Sequence, residues 1–245
     1  GGALGAAIAG VPEWLEGGIG LSTVAAYGAA IVFYATLLVG VAALYARLSR
    51  HAEPDAPHAA GPRLPHSRRA IRNFSLLAAL DAFGGGFIGS ALIAYFFYER
   101  FGVDAGTLAA LFFAARVMTV LSHFVAAWLA RRIGLVNTMV FTHLPSSLFL
   151  IAVPFAPSLK VAVVFFLFRE ALVEMDVPTR QSYVAAVVQP SERTFASGIT
   201  NLARNVLWAV GSSLSGLVMQ SVAFSAPLVM GGGLKIGYDL ILYRG

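Results

Sequence analysis

The stretch that decides the fold is residues 161–216, VAVVFFLFREALVEMDVPTRQSYVAAVVQPSERTFASGITNLARNVLWAVGSSLSG. It contains two apolar runs that each carry an arginine, and a short polar loop with further arginines joins them. Apolar runs of this length are candidate membrane spans, and a charged side chain inside a span costs about 2.5–3.5 kcal/mol on insertion scales. Arg169 and Arg204 therefore need a role that justifies this cost, and transport is the first role to consider.

Hydrophobic residues make up 58% of the 245 residues and charged residues only 12%, whereas about a quarter of the residues in a soluble domain are charged. The composition predicts an all-α polytopic membrane protein. Only helices or closed barrels satisfy the backbone hydrogen bonds in lipid. The lengths of the apolar runs exclude a barrel, because the strands of a barrel would alternate polar and apolar residues over about ten residues. The sequence contains no cysteine, which excludes disulfides, thiolate metal sites and cysteine nucleophiles.

Polar breaks separate eight apolar segments. The first, at residues 1–10, reads as a helix that has already begun, so we expect the sequence to be a fragment. Residues 11–17, VPEWLEG, are predicted to form a turn and residues 18–46 a second span. Residues 47–70 form a linker rich in Pro, His and Arg, and the spacing of its three histidines fixes no metal geometry. Six further spans are predicted at residues 71–97, 105–130, 134–156, 160–178, 195–220 and 222–243.

The basic residues are distributed unevenly between the two sides of this arrangement. With the linker on the cytoplasmic side, eleven of the 17 lysines and arginines lie on that side and only Arg100 and Lys160 lie on the other. The remaining four lie within spans and are Arg116, Arg169, Arg204 and Lys235. This positive-inside pattern predicts a protein of the cell (inner) membrane with its linker and C-terminus in the cytoplasm. It assigns the excess positive charge to orientation rather than to nucleic acid.

The order of motifs in the first stretch resembles a known family. FLFREALVEMDVPTRQSYVAAVV followed by QPSERTFASGITNLARNVLWAVGSSLSG resembles the tenth and eleventh helices of a major facilitator superfamily transporter, with the loop between them. In that family an arginine lies in the helix before the loop, the loop ends in a Pro-x-x-Arg-like run, and the next helix carries Asn-x-x-Arg-Asn. The matching positions here are Arg169, residues 190–193, Asn201, Arg204 and Asn205.

The resemblance implies a domain organisation. The chain is similar to the fifth helix onward of a twelve-helix member, with the first four helices missing. Residues 1–46 then correspond to the end of the N-terminal bundle, residues 47–70 to the cytoplasmic linker, and residues 71–245 to the C-terminal six-helix bundle. The missing N-terminal helices of the same transporter are an expected partner, together with the lipid bilayer.

Two further motifs bear on mechanism. After the second span of the C-terminal bundle, Arg132 and Gly134 match the family's loop pattern Gly-x-x-x-Asp-Arg-x-Gly-Arg-Arg, which implies gating-loop residues. Arg131 occupies the Asp position, so a plain pair of arginines on the cytoplasmic side is the alternative. Residues 1–10 resemble the Gly-Pro-x-x-Gly-Gly motif of proton-coupled antiporters, with Gly2 in the Pro position; close helix packing by small residues is the alternative.

Polar groups within the spans are the candidates for mechanism. At 1.5 Å per residue, Asp81 lies about 14 Å from the cytoplasmic end of its span and Arg116 about 16 Å from the outer end of the next. Both fall near the midplane of neighbouring antiparallel helices, so the sequence predicts that they form an ion pair. Asp81 is either a carboxylate that couples proton and substrate or one half of a static structural pair.

Other intramembrane candidates lie on the two helices of the first stretch. Arg169 lies near the middle of its span, and Glu170 beside it is a candidate second titratable group. Asn201, Arg204 and Asn205 share one helix face, which offers hydrogen bonds either to a solute or to a neighbouring helix.

Two structural ion pairs are also expected. Glu174 and Asp176 are predicted to pair with Arg180 or Arg193 near the loop. Lys235 and Asp239 are spaced i, i+4 and are predicted to pair with each other.

These observations favour a non-enzymatic transport function. The sequence has no metal-ligand cluster, no cofactor motif and no Walker loop, so neither an enzyme nor an ATP-driven pump is expected. The resemblance implies a secondary active transporter, and we expect proton-coupled, drug-efflux-like export of small amphipathic organic compounds, with protons as the coupling ion. An uptake permease for a small metabolite is one alternative. A non-transporting membrane receptor or scaffold is the alternative from another class.

The topology can be tested by labelling single cysteines introduced into this cysteine-free chain. We expect the linker and the residues after Tyr243 to react only from the cytoplasmic side. Residues 11–17 and 99–104 should react from outside, because only this orientation places eleven basic residues in the cytoplasm. Labelling of the linker from outside in intact cells would contradict the topology.

Overall fold

The computed structural model of the chain describes residues 10–47 and 67–244. Within those ranges the chain forms ten α-helices and two short 3₁₀ turns, with no strand, as the composition predicts. The helices are α1 Val11–Ile19, α2 Thr23–Ala46, α3 Arg68–Gly86, α4 Ser90–Phe101, α5 Ala105–Ile133, α6 Leu135–Ala152, α7 Leu159–Val173, α8 Asp176–Val187, α9 Arg193–Ser221 and α10 Ala226–Arg244. The predicted helix at residues 1–10 and the linker histidines fall outside the described residues, apart from Gly10.

Four stretches among the described residues are long and apolar enough to cross a membrane. They are Thr23–Ala46, Arg68–Phe101, Ala105–Ile133 and Leu135–Phe155. The other predicted spans are helical as well, in α7 to α10, but these helices carry most of the charged residues described below.

Side chains cap three of the helices at their N-termini. Ser22, Asp104 and Ser158 accept hydrogen bonds from the backbone N–H groups three residues later, at the starts of α2, α5 and α7. The Thr107 amide lies 2.8 Å from Asp104 Oδ1, and this hydrogen bond lowers the pKa of the exposed Asp104 carboxyl. These caps satisfy N–H groups that a helix leaves unpaired, so they define where each helix begins.

The segment at residues 11–17 was predicted to be a turn, and this prediction is wrong. Residues 11–19 form α1, with Pro12 in its first turn. Proline is compatible with that position because its missing N–H would have no partner there. The helix ends at Gly20, whose φ of 73° suits glycine.

Two predicted single spans are each divided into two helices. The span at residues 71–97 consists of α3 and α4 with a break at residues 87–89, and it extends to Phe101. The break follows three consecutive glycines, which weaken a helix. The span at residues 160–178 consists of α7 and α8 with a break at residues 174–175, and it extends to Val187.

Helices α3 to α10 pack together as a bundle. Helix α3 lies between α9 and α10, α10 also packs on α6, and α6 contacts α7 and α8. A large apolar core fills one end of the bundle and includes Ile93, Phe96, Phe97, Leu150 and Phe166. Helices α1 and α2 pack on each other, and α2 exposes apolar side chains on all sides, which marks it as an interaction surface for lipid or for other helices.

Glycines allow α3 to approach both of its neighbours. A Cβ atom on Gly86 would lie 2.4 Å from the Trp208 carbonyl oxygen on α9, and one on Gly211 would lie 2.4 Å from the Phe83 carbonyl oxygen. On the other side, a Cβ atom on Gly231 of α10 would lie 2.9 Å from the Gly84 carbonyl oxygen. Backbone-to-backbone contacts of this kind are typical of small residues between membrane helices. They hold α9 and α10 close to the segment of α3 that carries Asp81.

Replacing Gly211 with alanine should destabilise the bundle, because the new methyl group meets backbone atoms of α3 that no side-chain rotation can move. We expect Gly211→Ala in the full-length protein to lower stability by about 1–3 kcal/mol or more. Thermal unfolding in detergent measures the effect.

Gly216→Ala on the same helix is the matched control, since no atom of the described residues lies within 4 Å of a Cβ atom there. It should be neutral or slightly stabilising, because alanine favours helix over glycine. Equal stability of the two variants would contradict the close approach of α3 and α9.

Candidate functional site

The carboxylate of Asp81 lies buried at the centre of the bundle, where only 3% of the residue is exposed. Lys235 Nζ on α10 donates to Asp81 Oδ1 at 2.6 Å, and Arg204 Nη1 on α9 donates to Asp81 Oδ2 at 3.0 Å. A third cation, Arg180 on α8, places Nη1 3.5 Å from Oδ2. Four helices therefore meet at this one carboxylate.

A second carboxylate joins the site through a histidine. His143 on α6 places Nε2 3.6 Å from Asp81 Oδ1 and 3.4 Å from Lys235 Nζ. Its Nδ1 lies 2.9 Å from Asp239 Oδ1 on α10. Arg180 Nη1 also donates to Asp176 Oδ2 at 2.9 Å. We call these seven residues the charge cluster: Asp81, His143, Asp176, Arg180, Arg204, Lys235 and Asp239.

The charge cluster is balanced. It contains three carboxylates, three lysine or arginine cations and one histidine, so its formal charge is zero when the histidine is neutral and +1 when it is protonated. Asp81, His143, Asp176, Lys235 and Asp239 are each at most 7% exposed. An uncompensated charge at such a site costs several kcal/mol, so each member depends on its partners.

The sequence of α10 explains how it reaches both α3 and α6. Gly231, Lys235 and Asp239 recur every four residues and therefore lie on one face of the helix. Gly231 contacts α3, while the next residue, Gly232, would place a Cβ atom 3.1 Å from the Ser147 carbonyl oxygen on α6. The polar face of α10 thus points between α3 and α6, where Lys235 meets Asp81 and Asp239 meets His143.

The predictions of two ion pairs are wrong. Asp81 does not pair with Arg116, because the glycine contacts turn α3 toward α9 and α10 and away from α5. Lys235 and Asp239 do not pair with each other, because each reaches a different neighbouring helix.

One predicted structural ion pair forms between the expected residues. Asp176 and Arg180 form an ion pair of i, i+4 spacing on α8, with a distance of 2.9 Å. Arg180 also reaches Asp81, so this pair belongs to the charge cluster rather than only to the loop.

Three other predicted site residues lie in a separate polar pocket of about 100 Å³ between α4, α5 and α7. Arg116, Arg169 and Glu170 line it together with Glu174. Arg169 and Glu170 form an ion pair although they are adjacent in sequence. The remaining lining includes Ile93, Phe112 and Phe166.

The remaining predicted residues lie at the surface of the bundle. Asn201 lines a cavity beside Arg204, whereas Asn205 is exposed one turn further along α9. Arg132 is exposed, with its guanidinium carbon 5.3 Å from the centre of the Trp128 ring. Gly134 joins α5 to α6 with a φ of 88° and ψ of 166°, a conformation essentially restricted to glycine. Gly134 therefore makes the tight connection, and a gating role for this loop stays a prediction.

Two adjoining cavities lie on the linker side of the charge cluster. The polar cavity has a volume of about 430 Å³ and is lined by Phe74, Arg180, Gln181, Val184, Ser197, Thr200, Asn201 and Arg204. The apolar cavity has a volume of about 610 Å³ and extends from Ala70 at the start of α3 to Tyr243 at the end of α10. Phe74, Val184 and Thr200 line both, so the two cavities are neighbours.

The sequence reasoning missed His143, and it assigned Arg180, Lys235 and Asp239 only to structural pairs. A histidine inside a predicted span, two residues before a proline, was a usable signal, because polar residues are rare in membrane helices. The polar face of α10 was a second signal.

Comparison with known proteins agrees with the fold. The family model described as Major Facilitator Superfamily matches residues 74–244. A protein of Saccharomyces cerevisiae named "Uncharacterized membrane protein YJR124C" is 27% identical over 164 residues. The match covers 66% of this chain and 37% of the yeast protein, so the matched part spans well under half the length of this relative.

Removing the central carboxylate should leave its cations uncompensated. We expect Asp81→Asn to destabilise the full-length protein by about 3–5 kcal/mol. Adding Lys235→Met should restore part of this loss, because it removes the nearest cation. Thermal unfolding of both single variants and the double variant gives the coupling energy.

Glu99→Gln, which neutralises an exposed acid at the end of α4, is the control and should have little effect. Additive losses in the double variant would contradict a direct pairing of Asp81 with Lys235.

Proposed function

The chain belongs to the major facilitator superfamily, a family of secondary transporters, and from this we propose that the protein exports small amphipathic organic compounds in exchange for protons. The single observation that carries the proposal is the charge cluster, a balanced set of buried ionisable groups drawn from five helices of the bundle.

The cluster suits proton coupling because one added proton changes its net charge. A charge of +1 at a buried site is unfavourable unless a partner moves or a ligand compensates it. Since the members lie on α3, α6, α8, α9 and α10, a shift of any of these helices relative to α3 changes the contacts of Asp81. A proton that favours one arrangement over the other can thereby drive a conformational change.

The cavities support an amphipathic substrate that enters from the linker side. The apolar cavity is lined mainly by aliphatic and aromatic side chains, and the polar cavity carries amide, hydroxyl and guanidinium groups. With the linker in the cytoplasm, both open on the side from which an exporter loads. The glycine pattern at residues 1–10, which resembles the antiporter motif, supports export over uptake.

Helices beyond this chain complete the proposed pathway. Transporters of this kind bind substrate between two helix bundles, and the chain corresponds to only part of its yeast relative. The exposed apolar surface of α2 is consistent with packing against such helices. We therefore propose the N-terminal helices of the same protein as partners of α2.

Transport by the full-length protein in proteoliposomes tests the proposal. We expect an imposed pH gradient to drive movement of at least one radiolabelled amphipath from a set that includes octanesulfonate and octyltrimethylammonium. The double variant Asp81→Asn, Lys235→Met keeps the charge balance of the cluster and should fold. We expect it to equilibrate the substrate without any response to the pH gradient.

Glu99→Gln is again the matched control and should retain full coupling. Retention of pH-driven accumulation by the folded double variant would refute the charge cluster as the coupling site. Proton-driven movement into the compartment that faces the linker would favour an uptake permease, and no movement of any compound would favour a receptor or scaffold.

A further inference from the structure

Among the residues that the structure describes, two cations and no anion line the polar cavity. Arg180 and Arg204 are the charged residues of its lining, and the others are uncharged: Phe74, Gln181, Val184, Ser197, Thr200 and Asn201. The carboxylates of Asp81 and Asp176 balance these arginines from the bundle interior, but only 4% and 5% of their side chains are exposed. A ligand in the cavity therefore meets guanidinium groups rather than carboxylates.

Both guanidinium groups keep donors available. An arginine has five N–H donors in a planar fork. Among the described residues, Arg204 donates only from Nη1, to Asp81 and to the Ala78 carbonyl oxygen, and Arg180 donates only from Nη1, to Asp81 and Asp176. Their side chains are 25% and 13% exposed. The remaining N–H groups can bind the oxygens of a ligand, and such charge-assisted bonds are roughly twice as strong as neutral ones.

The apolar cavity provides room for the rest of such a ligand. No charged residue from the described part of the chain lines it, and its walls include Ile71, Leu77, Val188 and Leu242. Because it adjoins the polar cavity at Phe74, a ligand that fills both would place its apolar body against aliphatic walls and its head group beside the two arginines.

We infer that the two cavities form one substrate site for an amphipathic organic anion, with the anionic group held by Arg180 and Arg204. The inference rests on the proposed transport function and narrows its substrate class. A cationic amphipath of the same size is disfavoured, because its charge would lie beside two guanidinium groups with no exposed carboxylate among the described lining residues to compensate it.

Binding to the purified full-length protein tests the charge preference. The probes share one octyl chain and differ in head group: octanesulfonate is an anion, methyl octyl sulfone is neutral and octyltrimethylammonium is a cation. We expect octanesulfonate to bind at least about tenfold more tightly than either of the others, the effect of one favourable charge interaction of ~1.4 kcal/mol.

Two substitutions in the lining add a negative charge without touching the charge cluster. Gln181→Glu is isosteric with the native residue, and Ser197→Asp has Ser197→Asn as its matched control. Both positions are exposed, so both variants should fold as the native protein does. We expect each added carboxylate to weaken octanesulfonate binding at least about tenfold, and we expect Ser197→Asp to weaken it more than the uncharged Ser197→Asn does.

The inference is overturned if octyltrimethylammonium binds as tightly as octanesulfonate, if none of the probes binds, or if Gln181→Glu leaves octanesulfonate binding unchanged. These outcomes are separate from failure of the proposed function. Proton-driven movement of octyltrimethylammonium would support the proposed transport function and refute the anion site. Selective binding of octanesulfonate without any proton-linked movement would support the anion site and refute the proposed transport function.

Discussion

The buried carboxylate of Asp81 is the group on which the arrangement of the bundle depends. A carboxylate in the interior of a membrane bundle is tolerated only when cations and hydrogen-bond donors surround it. Lys235, Arg204 and Arg180 meet this requirement from α10, α9 and α8. Because long cationic side chains must converge on one small group, the relative positions of these helices are constrained by Asp81.

Backbone contacts make this convergence possible. Gly86 and Gly211 bring α3 against α9, and Gly84 and Gly231 bring α3 against α10. A larger residue at any of these glycines would push a helix outward, and the ion pairs to Asp81 would lengthen with it. Charge compensation in the bundle therefore depends on close packing, since small residues set the distances over which the buried charges interact.

The sequence predicts the helical class and most helix positions, but not which helices become neighbours. Apolar run length is a local property, and so is the i, i+4 pair of Asp176 and Arg180, which forms as expected. The partner of Asp81 is not local, because Lys235 lies 154 residues away and its contact depends on how α3 and α10 are rotated about their axes. Neighbouring spans in sequence suggested Arg116 instead, although α3 packs mainly on α9 and α10.

A buried network of this size is not explained by stability alone. Replacing buried ion pairs with well-packed hydrophobic residues is often neutral or stabilising, and we therefore propose that this network serves specificity or switching. Here Arg180 and Arg204 belong both to the charge cluster and to the lining of the polar cavity. Any ligand bound between them alters the field at Asp81, and any proton gained by the cluster alters the field in the cavity. Under the proposed function, two side chains therefore connect substrate binding to protonation without a longer pathway. This coupling is reciprocal, because thermodynamic linkage requires that each event change the affinity for the other by the same factor.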